Sequence, residues 1–276
     1  MALSVNGGFG SKGGGSNPNL LDNGWFTVNQ RGATSYSGVG YTVDRWSKTV
    51  DGIVTVNDGY ISLTKGSYTY CNIMQGIENG LPVGIYTGSI LFADGTIFKG
   101  TITLTESTTN LQYFFRELND TFRMYYIPAS KYFVIACLND SKPDIKAVKL
   151  ERGSVSTLAL DSAPNYTTEL LKCQRYFERI YGHRIGGGHV DTENNYVNFH
   201  VPYRVDKRIT SPTVSFSDTS VTLVAIGHSN VSATNVDASS TNGHGTYINT
   251  KITTSINASY TYRFSGTFYV DISADL

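Results

Sequence analysis

Five histidines are the first residues in this chain whose chemistry invites a role. His183, His189, His200 and His228 fall within residues 183–228, His244 lies just beyond, and Asp191 and Glu193 are close in sequence. Imidazole binds metals and exchanges protons near neutral pH. In a threefold assembly one axial histidine becomes three, enough to hold a metal ion. The segments "HVD" and "GHG" are not His-x-His pairs, however. Polar surface positions are the expectation for these histidines, and no metal residue is assigned.

The carboxylates point no more firmly to catalysis. Glu106, Glu117 and Asp120 sit near expected strand ends, and nothing in their spacing sets two of them across a cleft, as glycoside hydrolysis requires. No Gly-x-Ser-x-Gly elbow or phosphate loop occurs. "RIGGGHV" has three glycines without the Walker spacing or a following Lys-Ser/Thr, and reads as a turn. No catalytic or cofactor residue is assigned, no cofactor is implied, and the chain is not expected to be an enzyme. Tyr68, Tyr70 and Tyr113 lie in polar strand-like segments. They suit stacking on a sugar ring, and core packing or a subunit contact would use them equally. Cys71, Cys137 and Cys173 are odd in number and far apart, which suggests buried thiols rather than disulfides or a zinc site.

The composition describes the scaffold that must carry such groups. The 276 residues include 28 Gly, 19 Tyr and 13 Phe, and only 16% are charged, a mixture favouring strands and tight turns. The net charge of zero lacks the basic excess of a duplex-binding protein, so no nucleic-acid partner is expected. The start, "MALSVNGGFGSKGGGS", has neither the basic opening nor the apolar run of a secretory signal. No apolar stretch reaches membrane-spanning length. Synthesis in a cytoplasm without signal-directed export or membrane insertion is expected.

Along the chain the pattern is all-β. Residues 1–17 form a Gly/Ser-rich arm with little to bury. Residues 18–152 alternate apolar and polar positions between "DG" turns. Tyr86, Ile90 and Phe92 share one face, "ADG" turns the chain, and Phe98, Ile102 and Leu104 continue it. About eight strands are read there, with "NPNLLDNGWFTVNQRG" as the opening one, and they suggest a two-sheet sandwich or jelly roll. Trp25, Phe26, Tyr41 and Trp46 are expected to fill its core and edge. Asp44 or Arg45 is expected to pair across strands, and Arg31 to satisfy turn carbonyls. Residues 153–182 form a linker and the single helix candidate, "TTELLKCQRYFERIYG". Its Leu170, Cys173, Phe177 and Ile180 recur as one helical stripe, with Thr167 or Thr168 as cap and Gly182 as end. Residues 183–276 read as a C-terminal β domain, in which Val197, Phe199, Val201, Tyr203 and Val205 alternate in one strand and Tyr260, Tyr262, Phe264, Phe268, Val270 and Ile272 in another. The polar tract "GHSNVSATNVDASSTNGHGTY" between them reads as exposed loops.

Four segments carry a family likeness: "NLLDNGWFTVNQRG", "GYTVDRW", "IKAVKLERG" and "ELLKCQRYFERI". Together they resemble a layout of phage and prophage structural proteins. There a carbohydrate-binding-module-like jelly roll is followed by a Cys-Gln-Arg-Tyr helix and a small C-terminal β domain. The likeness spans roughly residues 18–181. It implies a tail-fibre, receptor-binding or head-fibre component of a virion, usually a homotrimer. Residues 1–17 would dock on other virion proteins, and a host-surface glycan is an implied partner. In related sugar-binding jelly rolls a Glu after the opening Phe often holds calcium. Here Thr27 follows Phe26, which leaves Glu151 as the one carboxylate in the matching strand and makes calcium doubtful. The expectation is therefore a trimeric phage fibre protein that attaches to a host surface. A head fibre or capsid decoration protein is the alternative within that class. An extracellular carbohydrate-binding module, with or without hydrolase activity, is the alternative from another class.

Overall fold

The computed structural model describes residues 16–116, 122–138, 144–218, 220–225, 230–252 and 261–274. Two β-sandwiches follow one another, joined by a helix. In the first, one sheet runs in the order β1 (Ser35–Tyr36), β4 (Gly52–Asn57), β5 (Tyr60–Lys65), β12 (Asp144–Arg152), β7 (Gly84–Phe92), β8 (Ile97–Leu104). The facing sheet runs β2 (Gly40–Tyr41), β3 (Ser47–Lys48), β6 (Cys71–Gly76), β11 (Tyr132–Cys137), β10 (Phe122–Ile127), β9 (Gln112–Arg116). Alternate residues of both sheets meet in one core that includes Val54, Leu63, Ile90 and Leu150 from one side and Ile73, Met124, Phe133 and Ile135 from the other. The "ADG" hairpin forms as its sequence suggests. Leu91 pairs with Ile97, the Asp94 carboxylate accepts the Thr96 N–H at 2.8 Å, and Gly95 takes φ +89°. Strand β9 crosses so close above β8 that a Cβ on Gly100 would lie 1.5 Å from the Phe114 carbonyl oxygen.

Trp46 is fully buried at the centre of that core, with Phe26 and Phe133 rings at 5.4 and 6.5 Å, and its indole N–H donates to the Asn23 carbonyl. Residues 17–32, expected as an opening strand, are not one. Asn19 and Asn23 take over the bonds that a strand's backbone would make. The Asn19 amide donates to the Val148 carbonyl at 2.8 Å and accepts the Leu150 N–H at 3.0 Å. Buried Asn23 donates to the Val28 and Asp44 carbonyls and accepts the Val28 N–H. Side chains that bond the backbone locally compete with a ladder. Positive φ at Asn23 and Phe26 then turns the chain instead of extending it.

The linker helix α1 spans Tyr166–Gln174 and is capped by Asn165, whose side chain accepts the N–H groups of Thr167 and Thr168. Neither threonine is the cap, and Gly182 is not the helix end. Phe177 and Ile180, placed on the helical stripe by their spacing, lie instead in β13 (Phe177–Tyr181). That segment pairs with β21 (Tyr269–Ser273), from Phe177↔Ser273 to Tyr181↔Tyr269. The ladder and burial of Ile180 in the second core override a local helical period.

The second sandwich stacks the small sheet β13–β21–β16, with β16 at Thr213–Phe216, on a six-stranded sheet. The larger sheet runs β14 (His189–Asp191), β15 (Tyr196–Pro202), β19 (Gly245–Ile252), β18 (Asn230–Thr241), β17 (Val221–Ala225), β20 (Tyr262–Phe264). Val197, Phe199, Ile248, Phe264, Val270 and Ile272 share its core. The polar tract expected as loops contains the 12-residue strand β18. Ala233 and Val236 both point inward although three positions apart, because the register shifts between Thr234 and Asp237 where Asn235 takes φ +53°. A bulge of this kind breaks the simple alternation by which strands are recognised.

Charged side chains tie the first sandwich to Tyr176 and to β13, which follow the helix. Arg45, expected to pair, bonds Asp22 at 3.1 Å and stacks on the Tyr176 ring at 3.4 Å. Arg179 holds Asp271 through two 2.7 Å bonds and donates a third to the Arg31 carbonyl. Arg31 itself lies over the Phe177 ring at 3.7 Å. Among the described residues no helix is long and apolar enough to cross a membrane.

Candidate functional site

A concavity with polar lining lies on the outer face of the second sandwich. Its geometry follows from the two-residue period of β strands. On β15, Val197, Phe199 and Val201 point into the core, so Tyr196, Asn198 and His200 point outward. On β19, Thr246, Ile248, Thr250 and Ile252 are buried, and Tyr247 and Asn249 face out. Antiparallel register then aligns these exposed groups in rows. His200 pairs with Tyr247, His189 with Asn198, Asn198 with Asn249, and Asp191 with Tyr196. On the next strand Asp237 extends the amide row opposite Asn249. The result is a trough of 580 Å³, with rings at both ends and amides along its floor.

The His200 and Tyr247 rings lie 4.8 Å apart and tilted by 41°. Asp191 closes the other end and shapes the turn after β14. It accepts the Glu193 N–H at 3.1 Å, the Asn194 N–H at 3.2 Å and the Asn194 side-chain amide at 2.9 Å. Those bonds, led by the Asn194 side-chain amide, hold the Asp191 carboxyl below its usual range. The carboxylate is therefore ionised at neutral pH and already engaged as a turn cap. The lining contains no lysine or arginine. Its rings and amides are suited to holding a polar ring-shaped molecule.

The other singled-out residues fall elsewhere. Tyr70 and Tyr113 come together with Tyr125 around a 210 Å³ hollow on the first sandwich, also lined by Leu111, Arg123, Ala136 and Leu138. Tyr113 and Tyr125 rings are 5.6 Å apart, and burial, then Tyr70 and Tyr113, push the Tyr125 hydroxyl pKa up. Tyr68 is exposed and does not line that hollow. Of the described histidines, His189 and His200 share the trough. His183 stacks on Tyr181 at 5.9 Å, His244 pairs with Asp206 at 2.6 Å, and His228 lies outside the described residues. Glu106 is exposed in the turn after β8, while Glu117 and Asp120 lie outside the described residues. Among the described residues no three His, Cys, Asp or Glu side chains gather as a metal set. Cys71, Cys137 and Cys173 are buried thiols outside any disulfide, as expected, and burial raises the pKa of Cys71 and Cys173.

Glu151, the one candidate carboxylate for a cation in the first sandwich, is fully buried and already committed. It accepts the Thr157 N–H and hydroxyl at 2.8 and 2.6 Å and the Asn17 amide at 3.1 Å. The buried Lys149 ammonium lies 3.9 Å away, bonded to Ser16, Thr157 and Asp161. This ammonium is the positive charge the carboxylates share, and the knot pins Ser16 and Asn17 to the end of β12. The remainder of the 1–17 arm, residues 1–15, lies outside the described residues.

His189, Asp191 and His200 stand out in the sequence by residue type, whereas Tyr196, Asn198, Tyr247 and Asn249 do not. Their signal was present as the polar partners of an apolar alternation, "YVNFHV" and "TYINTKI". What the sequence lacked was the register that sets one strand beside the other. Comparison of the chain with protein-family models, curated proteins and solved structures returns no match.

Proposed function

We propose that the chain is a non-enzymatic attachment protein of the phage fibre type, a homotrimer held on the particle by residues 1–17. Its second sandwich meets the host surface. The observation that carries the reading is the trough on the outer face of the β14–β15–β19 sheet, where rings and amides converge. A rigid β scaffold with its polar groups on one outer face is suited to repeated weak contact. Three linked copies raise avidity by about 10²–10⁴ over one weak site. The resemblance of residues 18–181 to phage structural proteins with a jelly-roll module supports the same reading.

A free-standing carbohydrate-binding module is a second reading, favoured by the Tyr70–Tyr113–Tyr125 hollow on the first sandwich. Solution mass separates the two. Light scattering of the full chain is expected to give a trimer, and a chain lacking residues 1–17 is expected to stay trimeric while losing its docking on the particle. A monomer in both preparations overturns the fibre reading and favours the single module.

A further inference from the structure

The geometry points to a neutral saccharide as the ligand of the β14–β15–β19 trough, an inference that rests on the attachment reading and names what it attaches to. Shape comes first. A volume of 580 Å³ falls within the ~300–1,000 Å³ of sites for small ligands. Most of the lining side chains project from one face of the β14–β15–β19 sheet, so an extended ring-by-ring ligand can lie along it.

Chemistry narrows the class. A pyranose presents an apolar C–H face and a rim of hydroxyls that both donate and accept. The exposed Tyr247 ring, braced by His200 at 4.8 Å, offers a platform for the apolar face. Half-buried Asn198 and Asn249 stand side by side in register, and each amide carries one acceptor and two donors. Among the described residues neither side-chain amide bonds another protein group, so both are available to ligand hydroxyls. His189 adds a ring nitrogen at the edge of the same row.

Charge decides between sugar types. An acidic sugar or a phosphate needs Arg or Lys to compensate its desolvation. The trough is lined by none, and its one lining carboxylate, Asp191, is held ionised by its turn bonds. Asp237 lies exposed beside Asn249 on the outer margin. Lys251, exposed and cross-strand from Tyr196, is a cation on the same face, but the Asp191 and Asp237 carboxylates outnumber it there, so an anion meets net repulsion whereas a neutral hexose or N-acetylhexosamine meets none. The Tyr70–Tyr113–Tyr125 hollow is a poorer candidate for the same ligand. It is smaller, at 210 Å³, and its lining contains no side-chain amide.

The test uses the full chain on an array of neutral and sialylated glycans, with mass by light scattering on the same sample. Retention is expected on neutral hexose or N-acetylhexosamine glycans and not on sialylated caps alone. Tyr247→Ala is expected to lower retention by about tenfold or more, as loss of a stacking ring in a multivalent binder implies. Tyr247→Phe is expected to keep it, and Asn249→Ala to lower it by about fivefold. A chain that is trimeric yet silent on every neutral glycan overturns this inference and leaves the attachment reading standing. Preference for sialylated glycans, or neutral binding unchanged in both Tyr247→Ala and Asn249→Ala, also overturns it. Dissociation of the trimer on Tyr247→Ala without glycan binding assigns the face to a subunit interface and overturns it too. A monomeric chain that binds neutral glycan through Tyr247 supports the site and overturns the fibre reading alone.

Discussion

The outer faces of the two sandwiches carry the same residue type, tyrosine, and use it in opposite ways. On the first, Tyr113 and Tyr125 pack on each other beside Leu111, Ala136 and Leu138, with Arg123 as the one charged neighbour in the lining, leaving a hollow of 210 Å³. On the second, Tyr196 and Tyr247 stand at the margins of a 580 Å³ trough floored by asparagine and histidine. An aromatic ring surrounded by apolar neighbours gains its free energy from burial on folding. The same ring beside amides and water has that gain still available to a ligand. The neighbours, not the tyrosine, set the difference.

The largest effect expected from breaking this comparison lies beneath the two faces, in their separate cores. Trp46→Ala and Phe199→Ala each remove a fully buried ring from one core, at a cost of about 3–5 kcal/mol. In calorimetry each substitution is expected to lower the melting of its own sandwich more than the other's. Equal lowering of a single transition in both variants would show instead that the junction at Arg45, Tyr176 and Arg179 welds the halves into one cooperative unit.

A medium effect is expected from pH, and it also separates the halves. Burial pushes the Tyr203 hydroxyl pKa of the second sandwich up to about 12. Its folded value exceeds the unfolded one near 10, so its contribution is present below pH ~10 and is lost as pH rises through ~12. That window is worth at most about 3 kcal/mol, before solvent screening reduces it. Tyr203→Phe is expected to flatten the fall in stability of the second sandwich between pH 10 and 12. A pH profile identical to that of the parent would remove Tyr203 from this role.

The smallest effect tests the two faces directly. Tyr125→Ala is expected to cost about 1–2 kcal/mol in denaturant melts, because half-buried ring area is lost. Tyr247→Ala, at 48% exposure, is expected to cost less than about 0.5 kcal/mol. A reversal of that order would mean that the second face is structural and the first is the poised one.

Much of the scaffold was legible in the residues. Alternation placed Val197, Phe199 and Val201 in the core, as they are. The Ala93–Gly95 turn formed where Asp and Gly stand together. Where local signals conflicted with pairing, the reading failed. Phe177 and Ile180 kept helical spacing yet joined β13, because β21 offers them a ladder and a core. Residues 230–241 looked like loop because polar residues dominate and a bulge breaks their period, yet β19 and β17 both pair with them. Residues 17–32 looked like strand because of their aromatics, yet Asn19 and Asn23 supply backbone-like bonds that free the chain to turn.

By itself, the sequence determined the all-β class, the strands with clean alternation, and which side of each strand is polar. Those properties depend on neighbours one or two positions away, where side-chain direction follows from the pleat. Only the tertiary structure decided that Asn198 would stand beside Asn249 and His200 beside Tyr247. Register between strands so distant in sequence is set by which whole face must be buried, and a slip of one residue would turn the trough inward.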